Sequence, residues 1–96
     1  MRPSVALNSH RQAILDIVAQ NHAINARVFG SVLHEEDTNS SDLDLLVDPT
    51  FETTLMDIAK IQNKLQILLG ISVDVLTPKA LPEQFRNQVL KEARPI

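Results

Sequence analysis

The fold of this chain is decided by the stretch Asp42-Leu-Asp-Leu-Leu-Val-Asp48, which Pro49 closes. Successive side chains of a β-strand point to opposite faces, so Leu43, Leu45 and Val47 share one face. Asp42 and Asp44 then project together from the other face. Aspartate is disfavoured in strands. A strand that carries two aspartates on one face therefore needs an explanation beyond its hydrophobic pattern.

The segments on either side of this stretch predict a small α/β or α+β sandwich, a single domain over residues 1–96 in which helices pack on one sheet face. The predicted order is helix, strand, strand, helix, strand, helix. Ser9 and Gln12 indicate a capping box at the start of the first helix, and Gly70 stands where a helix-ending glycine belongs. The other predicted elements are a first helix fading at Asn21–His22, strands at 26–29, 42–48 and 71–76, and helices at about 54–69 and 82–92. In the last helix, Phe85 and Val89 are expected to point inward.

Composition excludes several classes of protein. The 96 residues include no cysteine, so disulfide scaffolds and thiol chemistry are excluded. Net charge is −3, and three phenylalanines are the only aromatic residues, which argues against a nucleic-acid-binding surface. No apolar run approaches the length of a membrane span, and no signal pattern opens the chain, so we expect a cytoplasmic protein.

A third acidic residue, Asp74, lies between Val73 and Val75 in the last predicted strand. If the strands are neighbours, Asp42, Asp44 and Asp74 form one patch. Clustered carboxylates repel each other, and Mg²⁺ relieves that repulsion because it prefers oxygen ligands. The alternative for each residue alone is a solvated strand face. The combination of all three favours a metal site.

Gly30-Ser31 follows the first predicted strand, and Gly30 is one of only two glycines in the chain. Without a Cβ, Gly30 lets the backbone approach a ligand closely, and amides after Ser31 can point at phosphate. The alternative is a plain strand-ending turn. The first interpretation predicts that Gly30→Val abolishes nucleotide binding and leaves the fold largely intact.

Together, Gly30-Ser31-Val-Leu-His-Glu35, Ser41-Asp42-Leu-Asp44 and Val73-Asp74-Val75 resemble the DNA polymerase β-type nucleotidyltransferase superfamily. The short chain is similar to its minimal nucleotidyltransferase branch, whose members are antitoxins that partner HEPN-domain ribonuclease toxins. The resemblance implies the small nucleotidyltransferase fold with a mixed β-sheet. It also implies transfer of AMP from ATP to a tyrosine of the toxin, which silences the ribonuclease.

The resemblance assigns a role to each matching residue. Asp42 and Asp44 are implied to hold two Mg²⁺ ions, and Asp74 to complete the catalytic-metal site and serve as the base for the incoming hydroxyl. Gly30 and Ser31 are implied to hold the β- and γ-phosphates of ATP.

One segment departs from the superfamily pattern. Many relatives continue Gly-Ser-x with Ala-Arg-Gly, whereas this chain has Leu33, His34 and Glu35. An arginine there supplies a fixed positive charge, which His34 lacks when neutral. Either nucleotide binding is weaker, or a cation comes from elsewhere in the chain, namely from Arg27, Lys60 or Lys64.

Two other functions stay open at this stage. The first is a module that neutralises its partner by binding alone, without catalysis. The second is a nucleotidyltransferase that modifies RNA or a small molecule such as an aminoglycoside. The broad apolar arc that Ile67 and Leu68 add to the helix at 54–69 predicts a hetero-complex, with self-association as an alternative. Another interpretation is that the N-terminal and C-terminal helices cover this arc.

Overall fold

The computed structural model describes residues 1–96. The elements along the chain are α1 Pro3–Ser9, α2 Arg11–Gln20, β1 Ala23–Phe29, β2 Leu43–Pro49, α3 Leu55–Leu69, β3 Val73–Leu76, a 3₁₀ turn at Pro78–Ala80, α4 Glu83–Glu92 and β4 Arg94–Pro95. The four strands form a mixed sheet in the order β3-β2-β1-β4. β2 pairs antiparallel with β1 and parallel with β3, and the short β4 pairs antiparallel with β1.

The hydrophobic core lies between one face of the sheet and the first three helices. Leu43, Leu45 and Val47 of β2 are fully buried there, as their two-residue spacing predicts. Ile61 and Leu65 of α3 pack into the same cluster, and Ile14 and Val18 bring in α2. The mixed sheet with helices on this face confirms the predicted fold class.

Both ends of α3 follow from local chemistry. Thr54 accepts a hydrogen bond from the Asp57 amide, and the Asp57 carboxylate accepts one from the Thr54 amide, which closes a capping box. At the other end Gly70 has a φ of 67°, the left-handed conformation that glycine adopts at little cost. The predicted role of Gly70 is confirmed.

The N-terminal segment differs from the prediction. Ser9 is the last residue of α1, so it does not cap the following helix, and His10 separates α1 from α2. A separate α1 was not predicted. Pro3 starts it with a φ already suited to a helix, while Ala6 and Leu7 bury its inner side.

The last helix also departs from the prediction in its packing. α4 buries none of its residues, and Phe85, expected to point inward, is 56% exposed. Leu81, just before α4, and Leu46 of β2 are both buried, and both lie outside the main core cluster. Because Leu46 alternates with Leu45, it lies on the sheet face away from α1, α2 and α3.

Strand β3 lies at one edge of the sheet, where its outer amides would otherwise lack partners. The Val73 amide donates to Oε1 of Gln66, and the Val75 amide donates to Oε1 of Gln62. Two side chains of α3 therefore satisfy the exposed edge of β3. None of the helices combines the length and hydropathy that a membrane crossing needs.

Asp37 fixes the long β1–β2 connection to the N-terminal helix. Its buried carboxylate accepts from the Ser4 amide at 3.0 Å and from the Arg2 guanidinium at 3.4 Å. The backbone hydrogen bond from Ser4, assisted by the Arg2 charge, lowers the pKa of Asp37 below its usual value. Asp37 thus acts as the N-terminal cap that α1 lacks within its own sequence.

We expect Asp37→Ala to lower the free energy of unfolding by about 1–2 kcal/mol, because the Ser4 amide then loses its acceptor. The pKa of Asp37 is lower in the folded state, so its stabilisation is complete above pH 4 and is lost as pH falls further. Urea unfolding at pH 7 and at pH 3 measures both effects. Asp37→Asn keeps an acceptor oxygen without the charge, and a loss as large as that of Asp37→Ala contradicts the capping role.

Candidate active site

Asp44 and Asp74 are brought side by side by the parallel pairing of β2 and β3. The two residues are direct partners in the register, with Leu43 opposite Val73 before them and Leu45 opposite Val75 after them. The flanking apolar residues are buried in the core. Both carboxylates therefore lie on the other face of the sheet, where Asp44 is half-buried and Asp74 is exposed.

Asp42 precedes β2 by one residue, so the strand begins one position later than predicted. Its side chain is exposed, and its charge is close enough to raise the pKa of Asp44. The structure thus brings together the three carboxylates that the sequence pattern associated. It does so at the ends of two adjacent strands.

Gly30 touches Asp44 directly across the β1–β2 ladder, where Phe29 is the register partner of Asp44. A Cβ on Gly30 would lie 2.2 Å from Oδ2 of Asp44, which no real contact permits. Gly30 also has a φ of 75°, which disfavours any other residue. Only glycine therefore lets the Asp44 carboxylate lie against this turn.

Ser31 begins a compact turn that carries the chain away from Gly30. The His34 amide donates to the Gly30 carbonyl at 3.2 Å, and the Glu36 amide donates to the Ser31 carbonyl at 2.9 Å. Ser31 is half-buried at the start of this turn, next to Gly30. Gly30 and Ser31 therefore lie beside the carboxylate patch, as the motif spacing predicts.

Electrostatic repulsion is concentrated on Asp44. Partial burial, followed by the charges of Asp74 and Asp42, raises the pKa of Asp44 to about 6. A carboxyl group with this pKa is mostly ionised at pH 7, at a cost in folding free energy. A bound cation removes the repulsion, and so the patch is better suited to a positive ligand than to standing alone.

The donor set fits a hard divalent cation. Three carboxylates without nitrogen or sulfur donors are typical ligands of Mg²⁺, which also keeps water or substrate phosphate in its shell. No group of three or more histidine, cysteine, aspartate or glutamate side chains in the structure is close enough together to hold a metal ion by itself. The protein's share of such a site is thus an open set of carboxylates, which substrate oxygens would have to complete.

The predicted substitutes for the missing phosphate-binding arginine do not serve this site. Arg27 forms an ion pair with Asp48 on the carboxylate side of the sheet, and its side chain is largely buried there. Lys60 and Lys64 are exposed on α3, whose buried side chains pack against the opposite face. His34 pairs with Glu92 of α4 at 3.3 Å between Nε2 and Oε2. No uncommitted basic side chain among these four faces the Gly30 turn.

A cleft next to Gly30 was not predicted from the sequence. It has a volume of about 320 Å³ and lies between the end of β1 and α4. Its lining comprises Phe29, Gly30, His34, Phe85, Gln88, Val89 and Glu92. Phe29 and Phe85 are far apart in the chain, and neither belongs to a motif, so no local signal could have joined them.

The chain is similar to known proteins both in sequence and in fold. The sequence profile of the polymerase beta nucleotidyltransferase family matches residues 12–96. A candidate protein adenylyltransferase of Methanocaldococcus jannaschii is 30% identical over 87 residues, which are 91% of this chain and 94% of the relative. Protein adenylyltransferase MntA of Thermococcus cleftensis is 34% identical over 65 residues, covering 68% of this chain and 66% of MntA.

Solved structures show the same fold. A candidate minimal nucleotidyltransferase superposes with a TM-score of 0.86 and 41% identity, over 97% of this chain and 95% of that protein. A toxin–antitoxin crystal structure with AMP-PNP superposes with a TM-score of 0.73 and 19% identity, over 88% of this chain and 69% of that one. At this lower identity the second likeness concerns the fold alone.

We expect Asp44→Asn to stabilise the protein at pH 7 in the absence of divalent cations. The pKa of Asp44 is higher in the folded state, so stability falls as pH rises from about 4 to 6, and the amide removes that loss. After discounting for the exposure of Asp44, the gain is about 1–2 kcal/mol, which raises the melting temperature by several degrees.

Thermal unfolding with EDTA at pH 7 and pH 4 measures this effect. The difference between Asp44→Asn and the wild type shrinks at pH 4, where the wild-type carboxyl is largely protonated in the folded state. Asp16→Asn, on the exposed surface of α2, is the control and shows no such dependence. A variant less stable than the wild type at pH 7 contradicts the electrostatic account.

The contact between Gly30 and Asp44 changes the expectation for substitutions of Gly30. A side chain there is strained and displaces the Asp44 carboxylate, so Gly30→Val is expected to disturb the fold as well as the site. Gly30→Ala is the milder test. We expect it to lower stability by about 1–2 kcal/mol and to abolish detectable ATP binding.

Gly70→Ala is the matched control for Gly30→Ala. Gly70 has a similar φ of 67°, but nothing lies within 4 Å of the position that a Cβ would take there. This variant carries the same backbone strain without touching Asp44. Thermal unfolding and ATP titration of both variants separate strain from contact, and equal ATP affinities contradict a role for the contact between Gly30 and Asp44.

Proposed function

The chain belongs to the polymerase beta nucleotidyltransferase family, and we propose that it transfers AMP from ATP to a protein hydroxyl as the antitoxin of a toxin–antitoxin pair in the cytoplasm. Two relatives from different organisms carry the name protein adenylyltransferase, one of them as a candidate. Two of the structures with this fold are toxin–antitoxin complexes. These names support the proposed acceptor class and the proposed partner.

The observation that carries the proposal is the placement of Asp44. It lies in register with Asp74 on one side and against Gly30 on the other. A phosphate held at the Gly30 turn is therefore adjacent to two carboxylates on neighbouring strands. Nucleotidyl transfer between two oxygens requires the phosphate and the catalytic carboxylates to be held this close together.

In the proposed reaction, the acceptor oxygen forms a bond to the α-phosphorus of ATP, and the bond from that phosphorus to the bridging oxygen of the β-phosphate breaks. Pyrophosphate leaves with the bonding electron pair. The acceptor hydroxyl loses its proton to Asp74, which is exposed to an incoming partner. The products are an AMP-modified side chain and pyrophosphate.

Asp42 and Asp44 are the proposed ligands of two Mg²⁺ ions, with Asp74 completing the catalytic-metal site. When bound, these ions would stabilise negative charge on the attacking and leaving oxygens. The chain itself contributes the carboxylates and their fixed spacing through the register of β2 and β3. The Gly30 and Ser31 turn is the proposed site of the β- and γ-phosphates.

The proposed partner is a HEPN-type toxin, and the proposed acceptor is one of its tyrosines. Ile67 on α3 is 75% exposed, and it supplies apolar surface for a hetero-complex away from the carboxylates.

A second candidate function is neutralisation of the partner by binding alone, with weak catalysis or none. It is favoured by the pairing of His34 with Glu92, because the position that carries arginine in many relatives then offers the phosphates no free positive charge. The two candidates differ in whether the carboxylates are needed for neutralisation.

Transfer of radiolabelled AMP from ATP to the proposed partner toxin tests the first candidate. We expect label on the toxin with Mg²⁺ present, and a loss of roughly 100-fold or more in the transfer rate for Asp42→Asn or Asp44→Asn, because each removes a charged ligand. Mass spectrometry of the labelled peptide identifies the acceptor residue.

The same variants separate the two candidates through toxin neutralisation in cells. If Asp44→Asn still binds the toxin but no longer neutralises it, catalysis is required. Full neutralisation by Asp44→Asn without label transfer supports binding alone and contradicts the first candidate. Asp48→Asn, on the same strand but paired with Arg27, is the control for general disturbance of β2.

A further inference from the structure

We infer that the cleft between the end of β1 and α4 binds the base of the donor nucleotide, with Phe29 and Phe85 as its apolar walls. The inference rests on the proposed function and extends it from the phosphates to the rest of the nucleotide. It assigns a role to α4, which carries none of the acidic or glycine motifs.

The cleft has the size and lining of a site for a flat heteroaromatic group. Its volume of about 320 Å³ is at the lower end of the range for small-molecule sites. Phe29, Phe85 and Val89 are its apolar residues. Phe29 and Phe85 are two of the three aromatic residues in the chain, although the sequence shows them only as isolated phenylalanines.

The packing of α4 is explained by an occupant of this cleft. α4 buries no residue of its own, and Phe85 remains 56% exposed. Leaving an aromatic face open to water has a free-energy cost that core packing of Phe85 would avoid. A base stacked on Phe85 removes that surface from water, and such stacking is independent of which base is bound.

The position of the cleft favours the donor nucleotide over the acceptor. Gly30 lines the cleft and also contacts the Asp44 carboxylate, so the cleft and the carboxylate patch are continuous. A base connected to phosphates at Gly30 can therefore reach it. Asp74 lies on β3, two strands from β1 and about 9–10 Å away, so an acceptor deprotonated by Asp74 approaches from the other side.

Polar side chains at the cleft can hydrogen-bond to the edge of a base and link the two walls of the cleft. Gln88 donates from Nε2 to Oε1 of Glu92 at 3.3 Å, which leaves its side-chain oxygen to accept a hydrogen bond from the edge of a nucleobase. His34 and Glu92, paired at 3.3 Å, connect the Gly30 turn to the end of α4. Their pairing holds the two walls of the cleft together, a role that explains why His34 is not free for the phosphates.

Parallel titrations of ATP and inorganic triphosphate, each with Mg²⁺, test the assignment by calorimetry. Triphosphate contains the phosphates but no base. We expect Phe85→Ala to weaken ATP binding about tenfold or more and to leave triphosphate binding unchanged. Phe85→Tyr, which keeps the aromatic face, is expected to remain within about twofold of the wild type.

Phe51→Ala is the matched control, because Phe51 is 99% exposed in the turn after β2 and lies outside the cleft. It should change neither titration. Thermal unfolding of each variant checks that the fold is retained, as expected for a residue of α4 that is not buried.

Two results would overturn the assignment while the proposed function stands. Unchanged ATP affinity in Phe85→Ala places the base elsewhere, and an equal loss for ATP and triphosphate shows that Phe85 acts on the phosphate turn. A wild-type protein that binds neither compound contradicts the proposed function, and with it the base assignment.

Discussion

The contact between the Asp44 carboxylate and the backbone of Gly30 is the constraint on which the rest of the site depends. The contact follows from the antiparallel pairing of β1 with β2, which makes Phe29 the partner of Asp44, and the parallel pairing of β2 with β3 places Asp74 on the other side of Asp44. A one-residue shift of β2 would turn Asp44 into the core and break the contact, and a one-residue shift of β3 would turn Asp74 into the core. The hydrophobic alternation that fixes the fold therefore also fixes the chemistry.

The Asp44 charge on which the proposed function depends lowers the stability of the folded chain. Asp44 carries a pKa of about 6, which means that its negative charge at pH 7 destabilises the folded chain. Elsewhere, carboxylates stabilise the fold: Asp37 caps α1 and Asp57 caps α3, and backbone hydrogen bonds lower the pKa of both. Acidic groups at helix starts thus support the structure, whereas Asp44 on the open sheet face is destabilising in its charged form.

Much of the architecture could be predicted because it rests on local signals. Alternation along residues 42–48 predicted β2 within one residue, and Gly70 marked the end of α3. Asp42, Asp44, Asp74 and Gly30 were expected together, and the structure places them together. Their roles toward metal and nucleotide remain predictions.

The features that the sequence did not reveal depend on contacts between distant residues. α1 is capped by Asp37, which lies 33 residues beyond Ser4, so no capping pattern was visible within the helix itself. The cleft joins two phenylalanines from distant parts of the chain for the same reason.

The two glutamines that cover the edge of β3 also relate the dimensions of a helix to those of a strand. Gln62 and Gln66 are four residues apart on α3, a rise of about 6.0 Å, and Val75 and Val73 are two residues apart on β3, a rise of about 6.6 Å. Because the two spacings nearly coincide, both hydrogen bonds can form at the same time only when α3 lies at one particular height along β3. α3 thereby fixes the position of β3 along its own axis, and with it the height at which Asp74 stands beside Asp44. An insertion or deletion of one residue between Gln66 and Val73 would move that carboxylate, although no residue of the site had changed.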